Sequence, residues 1–80
     1  MKLICIPAFN EEARLSDVIV EAKNYADLVV VCDDGSSDNT SKIAISNGAE
    51  LIRHSKNLGK GSAMKSLFNY AKDHSAELVV

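Results

Sequence analysis

The chain has 80 residues and a mass of 8.6 kDa, below the usual domain size of roughly 100–150 residues, which excludes two folded domains and leaves one small domain or part of a larger one. Leu, Ile, Val and Phe fill 22 of the 80 positions, more than the roughly one-fifth below which chains stay disordered, so the chain is expected to fold. A net charge of −2 and a pI near 5.5 exclude a basic field able to recruit nucleic acid or an acidic membrane, and any phosphate must be held locally.

The uninterrupted apolar runs, such as Leu28 to Cys32, fall far short of the ~18 residues of a membrane span. The N-terminal stretch Met1 to Pro7 lacks the long apolar region and small-residue cleavage site of a signal peptide, which implies a cytoplasmic address. Cys5 and Cys32 both lie inside apolar runs, as suits buried thiols better than a disulfide framework or a metal site. The sequon Asn39-Thr40-Ser41 is accordingly read as accidental.

Along the chain, runs rich in β-branched residues alternate with segments of helical period, predicting β-α-β-α-β-α-β with no linker or repeat. The first strand spans Lys2 to Ile6 and is closed by Pro7. Leu15, Val18, Ile19, Ala22 and Ala26 then predict one apolar helix stripe. The second strand is Leu28 to Cys32. A loop, Asp33-Asp34-Gly35-Ser36-Ser37-Asp38, feeds a short helix from about Asn39 to Asn47, with Ser37 or Asp38 as its N-cap and Gly48 in the left-handed position that ends helices. The third strand is Glu50 to Arg53. After the turn Lys56 to Gly61, a third helix carries Ala63, Met64, Leu67, Phe68 and Ala71 on one face. Glu77 to Val80 begins a fourth strand, expected beside the first. Continuously apolar strands mark a parallel sheet buried on both faces, so the class is α/β, Rossmann-like. In such sheets ligands bind outside the carboxyl ends of the strands. The polar stretches Asn10-Glu11-Glu12, Asp33 to Ser36 and Lys56 to Ser62 all fall on that edge.

Several familiar phosphate and metal motifs fail on spacing. A P-loop is excluded because Lys60 precedes Gly61 and His54 stands where its first glycine belongs. The dinucleotide fingerprint fails because Gly59-x-Gly61-x-x ends at Met64 and follows the third strand. The acidic loop lacks both the alternate oxygen ligands and the terminal Glu of an EF-hand. What remains is Asp33-Asp34. One aspartate suffices to cap a turn, whereas a second ionised carboxylate beside it costs repulsion unless a donor or ligand uses it. His54 and His74 are read as structural, the first for want of a sequence partner, the second because the last turn of a helix suits a cation.

Three motifs, Pro7-Ala8-Phe9-Asn10-Glu11-Glu12, Val31-Cys32-Asp33-Asp34-Gly35-Ser36-Ser37-Asp38-Asn39-Thr40 and Asn57-Leu58-Gly59-Lys60-Gly61-Ser62-Ala63, resemble in order and spacing the start of the inverting family-two nucleotide-sugar glycosyltransferases, with the dolichyl-phosphate mannose synthase-like branch closest. The resemblance covers all 80 residues and implies the N-terminal part of a GT-A type fold. It implies that Pro7, Ala8, Phe9 and Glu11 line a nucleoside pocket, that the backbone near Cys32 faces the base, and that Asp34 hydrogen-bonds the base edge. Asp33, as the partner that organises the turn, and Gly35 would belong to the same substrate-binding set, and Lys60 would contact phosphate or base. The implied donor is a UDP- or GDP-linked sugar. The acceptor is a lipid phosphate, a polysaccharide or a protein, and no nucleic acid is involved. The family's Asp-x-Asp metal motif follows the fourth strand, so the ligands of the divalent cofactor, Mg or Mn, and the catalytic base are expected beyond residue 80. Residues 1–80 are thus expected to be one incomplete nucleotide-sugar-binding domain with no catalytic or metal residue of its own, inactive alone, and either part of a longer parent chain or a homo-oligomer through the edge Leu78 to Val80. The parent would act in the cytoplasm or at the cytoplasmic face of a membrane. The alternative is a non-catalytic α/β nucleotide-binding or interaction module.

Overall fold

The computed structural model describes residues 2–74 and 77–79. Its elements in chain order are β1 (Lys2–Ala8), α1 (Leu15–Ala22), β2 (Leu28–Asp33), α2 (Thr40–Ser46), β3 (Glu50–Arg53), α3 (Lys60–Asp73) and β4 (Glu77–Val79). The four strands form one parallel sheet in the order β3-β2-β1-β4. The chain therefore steps outward from β1 to β3, and α3 carries it back to the far side of β1. The connections diverge at β1, which puts the topological switch point at its carboxyl end. The fourth strand lies beside the first as expected; Val80 and Met1 lie outside the described residues.

Side chains alternate across the sheet and give it two apolar faces. On one face Leu3, Cys5, Val30 and Cys32 pack against Ala63, Leu67 and Ala71 of α3. On the other, Ala8, Val29 and Val31 pack against Leu15, Ile19 and Ala22 of α1 and Ala44 of α2. The result is a three-layer α/β/α sandwich. Both cysteines are buried and free, and among the described residues no helix is long and apolar enough to cross a membrane.

The boundaries depart from the sequence expectation at a few points. β1 runs through Pro7 to Ala8, since its register with β2 holds to Ala8↔Asp33, while pairing with β4 covers Lys2, Ile4 and the residue between. Pro7 thus lies inside the strand, opposite Cys32 of β2. α2 starts at Thr40, and the carboxylate of Asp38 accepts the Thr40 N–H at 2.9 Å. Gly48, at φ 79°, ends that helix as expected. α3 starts at Lys60, directly after Gly59 at φ 98°. Two residues assigned to helix core faces are instead exposed, Val18 at 45% and Phe68 at 53%. The buried stripe of α3 repeats every fourth residue through Ala63, Leu67 and Ala71, and Phe68, about 100° around the helix from Leu67, is turned off the sheet. Ala26 falls after the end of α1.

Candidate nucleotide-binding cleft

The first two rim loops are fastened to each other. Asn10 adopts φ 52°, a left-handed conformation that Asn tolerates better than most residues. Its N–H donates to Ser36 Oγ at 2.8 Å and its side-chain oxygen accepts the Ser37 N–H at 3.0 Å. Next along the chain, Glu11 N–H donates to Thr40 Oγ1 at 3.0 Å, and that hydroxyl donates to Asp38. Glu12 accepts the Asn39 N–H at 3.1 Å. These bonds join segments 26 to 29 residues apart and hold Phe9 and Glu11 against a fixed wall. The third loop is brought in by Gly35 at φ 78°, where an added Cβ would lie 2.4 Å from the Lys56 carbonyl carbon and 2.5 Å from the Asn57 nitrogen. Only glycine permits this backbone-to-backbone approach.

The two aspartates diverge because strand alternation sends neighbours to opposite faces. Asp33 is fully buried on the α2 side. It accepts the Ser36 N–H at 2.8 Å and the Ser41 hydroxyl, and pairs with Arg53 Nη1 at 2.8 Å. Burial alone would push its carboxyl up, but the bonds from Ser36 and Ser41 and the Arg53 charge outweigh it and hold the group below the usual carboxylate range. Arg53 also donates to Ser41 Oγ at 2.7 Å and to the Ser36 carbonyl at 3.2 Å.

Asp34 turns to the α3 side. His54 Nδ1 lies 2.8 Å from its Oδ1, the Leu58 N–H donates to Oδ1 at 2.9 Å, and the Gly59 N–H donates to Oδ2 at 2.9 Å. The His54 bond, followed by those from Leu58 and Gly59, holds this carboxyl below its ordinary range. A carboxylate offers about four acceptor positions, so Asp34 keeps one, on Oδ2.

Asp34 lines an open cleft of about 350 Å³ together with Pro7, Ala8, Phe9, Glu11 and Lys60, and with Asn57, Gly59 and Ala63. The cleft sits at the carboxyl end of β1, where the connections diverge. Of the residues singled out in the sequence, six meet here. Cys32, Asp33 and Gly35 do not line it: Cys32 is buried under α3, Asp33 serves the ion pair with Arg53, and Gly35 sits beneath the third loop. The sequence offers His54 no partner, whereas the structure gives it two, Asp34 and Ser66, whose Oγ is 2.9 Å from Nε2. The parallel register brings the first of them close, since Asp33↔Arg53 are paired and the residues that follow the two strands are Asp34 and His54, a pairing that the sequence itself does not signal.

Among the described residues, no group of three or more His, Cys, Asp or Glu side chains stands close enough to hold a metal ion. Asp33 and most of Asp34 are already engaged internally, so the described residues do not fit a metal centre.

Known proteins resemble this chain in sequence and in fold. Among curated relatives, dolichyl-phosphate beta-glucosyltransferase of Mus musculus is 35% identical, over 78% of this chain and 25% of that protein. An uncharacterized protein of Methanocaldococcus jannaschii is also 35% identical, over 96% of this chain and 32% of its own length. Among solved structures, glucosyl-3-phosphoglycerate synthase from Mycobacterium tuberculosis superposes with a TM-score of 0.77 at 28% identity, over 88% of this chain and 30% of that one. The same enzyme in complex with Mn2+, uridine diphosphate and glucosyl-3-phosphoglycerate gives a TM-score of 0.70 at 31% identity, over 80% and 27%. The chain thus spans about a third or less of the length of these proteins, and its fold is the Rossmann-like N-terminal part of the GT-A type. Since the family model for glycosyl transferase family 2 matches residues 3–75, nearly the whole chain, the protein belongs to that family.

Proposed function

We propose that the cleft holds the nucleotide of a UDP-linked sugar, and that the whole protein transfers that sugar with inversion to a lipid-phosphate acceptor. The observation that carries this reading is that Asp34, whose Oδ2 accepts only the Gly59 N–H, lines the cleft beside an apolar wall. Uracil presents one N–H between two carbonyls, whereas guanine presents two adjacent donors and calls for two acceptors side by side. A charge-assisted bond from uracil to Asp34 is stronger than a neutral one. Phe9, half exposed on the cleft wall, offers a face to the base, Glu11 accepts from ribose hydroxyls, and Lys60 at the start of α3 draws the diphosphate. Pro7 and Ala8 floor the pocket. The crystallised relative that holds uridine diphosphate supports the base, and the relatives named for dolichyl phosphate support the acceptor class.

In this reading the 80 residues bind and orient the donor. Attack by the acceptor on the sugar, and its deprotonation, fall to groups outside the described residues. So does the divalent metal, for which the Mn2+ of the crystallised relative is the support.

Calorimetry on the protein as its gene encodes it tests the reading. UDP should bind, and GDP should bind at least about tenfold more weakly, the effect of one poorly matched charged hydrogen bond. Equal or tighter binding of GDP would overturn the uracil assignment. Absence of binding by both would overturn the reading of the cleft as a UDP or GDP site.

A further inference from the structure

The imidazole of His54 is held at both nitrogens. Its side chain is 11% exposed and that of Asp34 is 6% exposed, so water contributes little to either. Nδ1 faces a carboxylate that can only accept, at 2.8 Å. Nε2 faces two groups that can donate, the Ser66 hydroxyl at 2.9 Å and, more distantly, the Cys32 thiol at 3.8 Å. Burial, with smaller contributions from Asp34 and Asp33, pushes that thiol up to about 11, so it stays protonated at neutral pH. Because the carboxylate can only accept, the proton between them sits on Nδ1, while Nε2 meets a hydroxyl that can donate or accept. His54 thus donates to Asp34, with the Ser66 hydroxyl hydrogen-bonded behind it.

The geometry points to His54 as a positioning residue for the nucleotide: with Ser66 behind it, it occupies Asp34 Oδ1 so that the one remaining acceptor, on Oδ2, is presented to the base. Leu58 shares Oδ1 and Gly59 takes the other half of Oδ2. Both of these donors belong to the third loop, which is held by this carboxylate and by the close backbone approach at Gly35. His54 is the donor that comes from the sheet itself, directly after β3, with its N–H bonded to the Asp33 carbonyl at 2.9 Å. It therefore fixes the carboxylate to the sheet, and Leu58 and Gly59 fix the loop to the carboxylate. Ser66 extends the fixing to α3, whose first residue, Lys60, lines the same cleft. This inference rests on the cleft being a nucleotide site.

The test compares substitutions that separate the proton donor from the ring. His54→Asn puts an amide N–H near the Nδ1 position and loses the Ser66 contact; His54→Phe keeps the bulk and donates nothing. UDP binding by calorimetry to the protein as its gene encodes it should weaken at least about tenfold in His54→Phe, stay within about threefold in His54→Asn, and weaken about threefold in Ser66→Ala. Equal loss in the Asn and Phe variants, or none in the Phe variant, would overturn the inference while leaving the cleft's function standing. Failure of the wild-type protein to bind UDP would sink the nucleotide reading and this inference with it. Should His54→Phe not fold, imidazole 15N shifts of the wild-type protein decide the question. His54 should show a protonated Nδ1 and should move on UDP addition, with exposed His74 as an unmoved reference within the chain. An unprotonated Nδ1, or shifts indifferent to UDP, would overturn it.

Discussion

Asp33 and Asp34 are adjacent in the chain and serve two different regions. Asp33 closes the side of the rim under α2, fully buried and saturated by Ser36, Ser41 and Arg53. Asp34 closes the α3 side, where three donors leave it one acceptor at an open cleft. A pair of like charges in sequence is thus resolved by the alternation of a strand, which separates the two carboxylates onto opposite faces before either meets a partner. The first region is a brace and the second a binding surface, and substitution should tell them apart.

The largest effect is expected where both regions depend on one residue. Gly35→Ala forces a Cβ into the Lys56 and Asn57 backbone at 2.4 and 2.5 Å and strains φ 78°, so urea unfolding should show a loss of ~3 kcal/mol or more. A loss under ~1 kcal/mol would mean that the third loop is free to move away. Next comes Asp33→Ala, which strands the Arg53 and Ser36 donors; we expect ~2–3 kcal/mol of stability to be lost with UDP affinity unchanged in the protein that remains folded. Asp34→Ala should do the reverse in emphasis, lowering UDP affinity at least about tenfold. Comparable affinity losses in the two alanine variants would erase the distinction between brace and binding surface.

The carboxyls of Asp33, Asp34 and Asp38 all lie below their ordinary range in the folded protein. A depressed carboxyl stabilises the fold above its unfolded pKa, about 3.8, and that stability is lost as pH falls through the folded value. Circular dichroism should therefore show a plateau from neutral pH to about 5 and a decline below about 4, and Asp33→Asn should flatten that decline. The smallest expected signal is at the thiols. Burial raises Cys5, and raises Cys32 to about 11, so a thiol reagent at neutral pH should leave both unmodified in the folded protein and react with both in urea.

Much of the architecture was legible along the chain because it depends on local periodicity. The order of strands and helices, the burial of both sheet faces by Val29 to Cys32, and the left-handed stop at Gly48 follow from side-chain pattern and backbone sterics that act within a few residues. Helix faces were legible only in part. Val18 and Phe68 match the helical spacing, yet the sheet covers a narrower arc than the apolar stripe, and how wide that arc is depends on the packed layer. The three polar loops could be assigned to one edge, since parallel topology sends every strand's carboxyl end the same way.

The chemistry within that edge required the folded chain. Sequence alone placed two carboxylates side by side and left His54 without a partner, because a hydrogen bond between residues 20 apart depends on strand register, which no local pattern reports. Once β2 and β3 align Asp33 with Arg53, the following pair falls together as Asp34 and His54, and α3 returning over the sheet supplies Ser66. Composition and spacing determined which groups the rim contains. Tertiary pairing alone determined which carboxylate is spent inside the protein and which keeps an acceptor for a ligand, because that depends on how many donors each one meets in space.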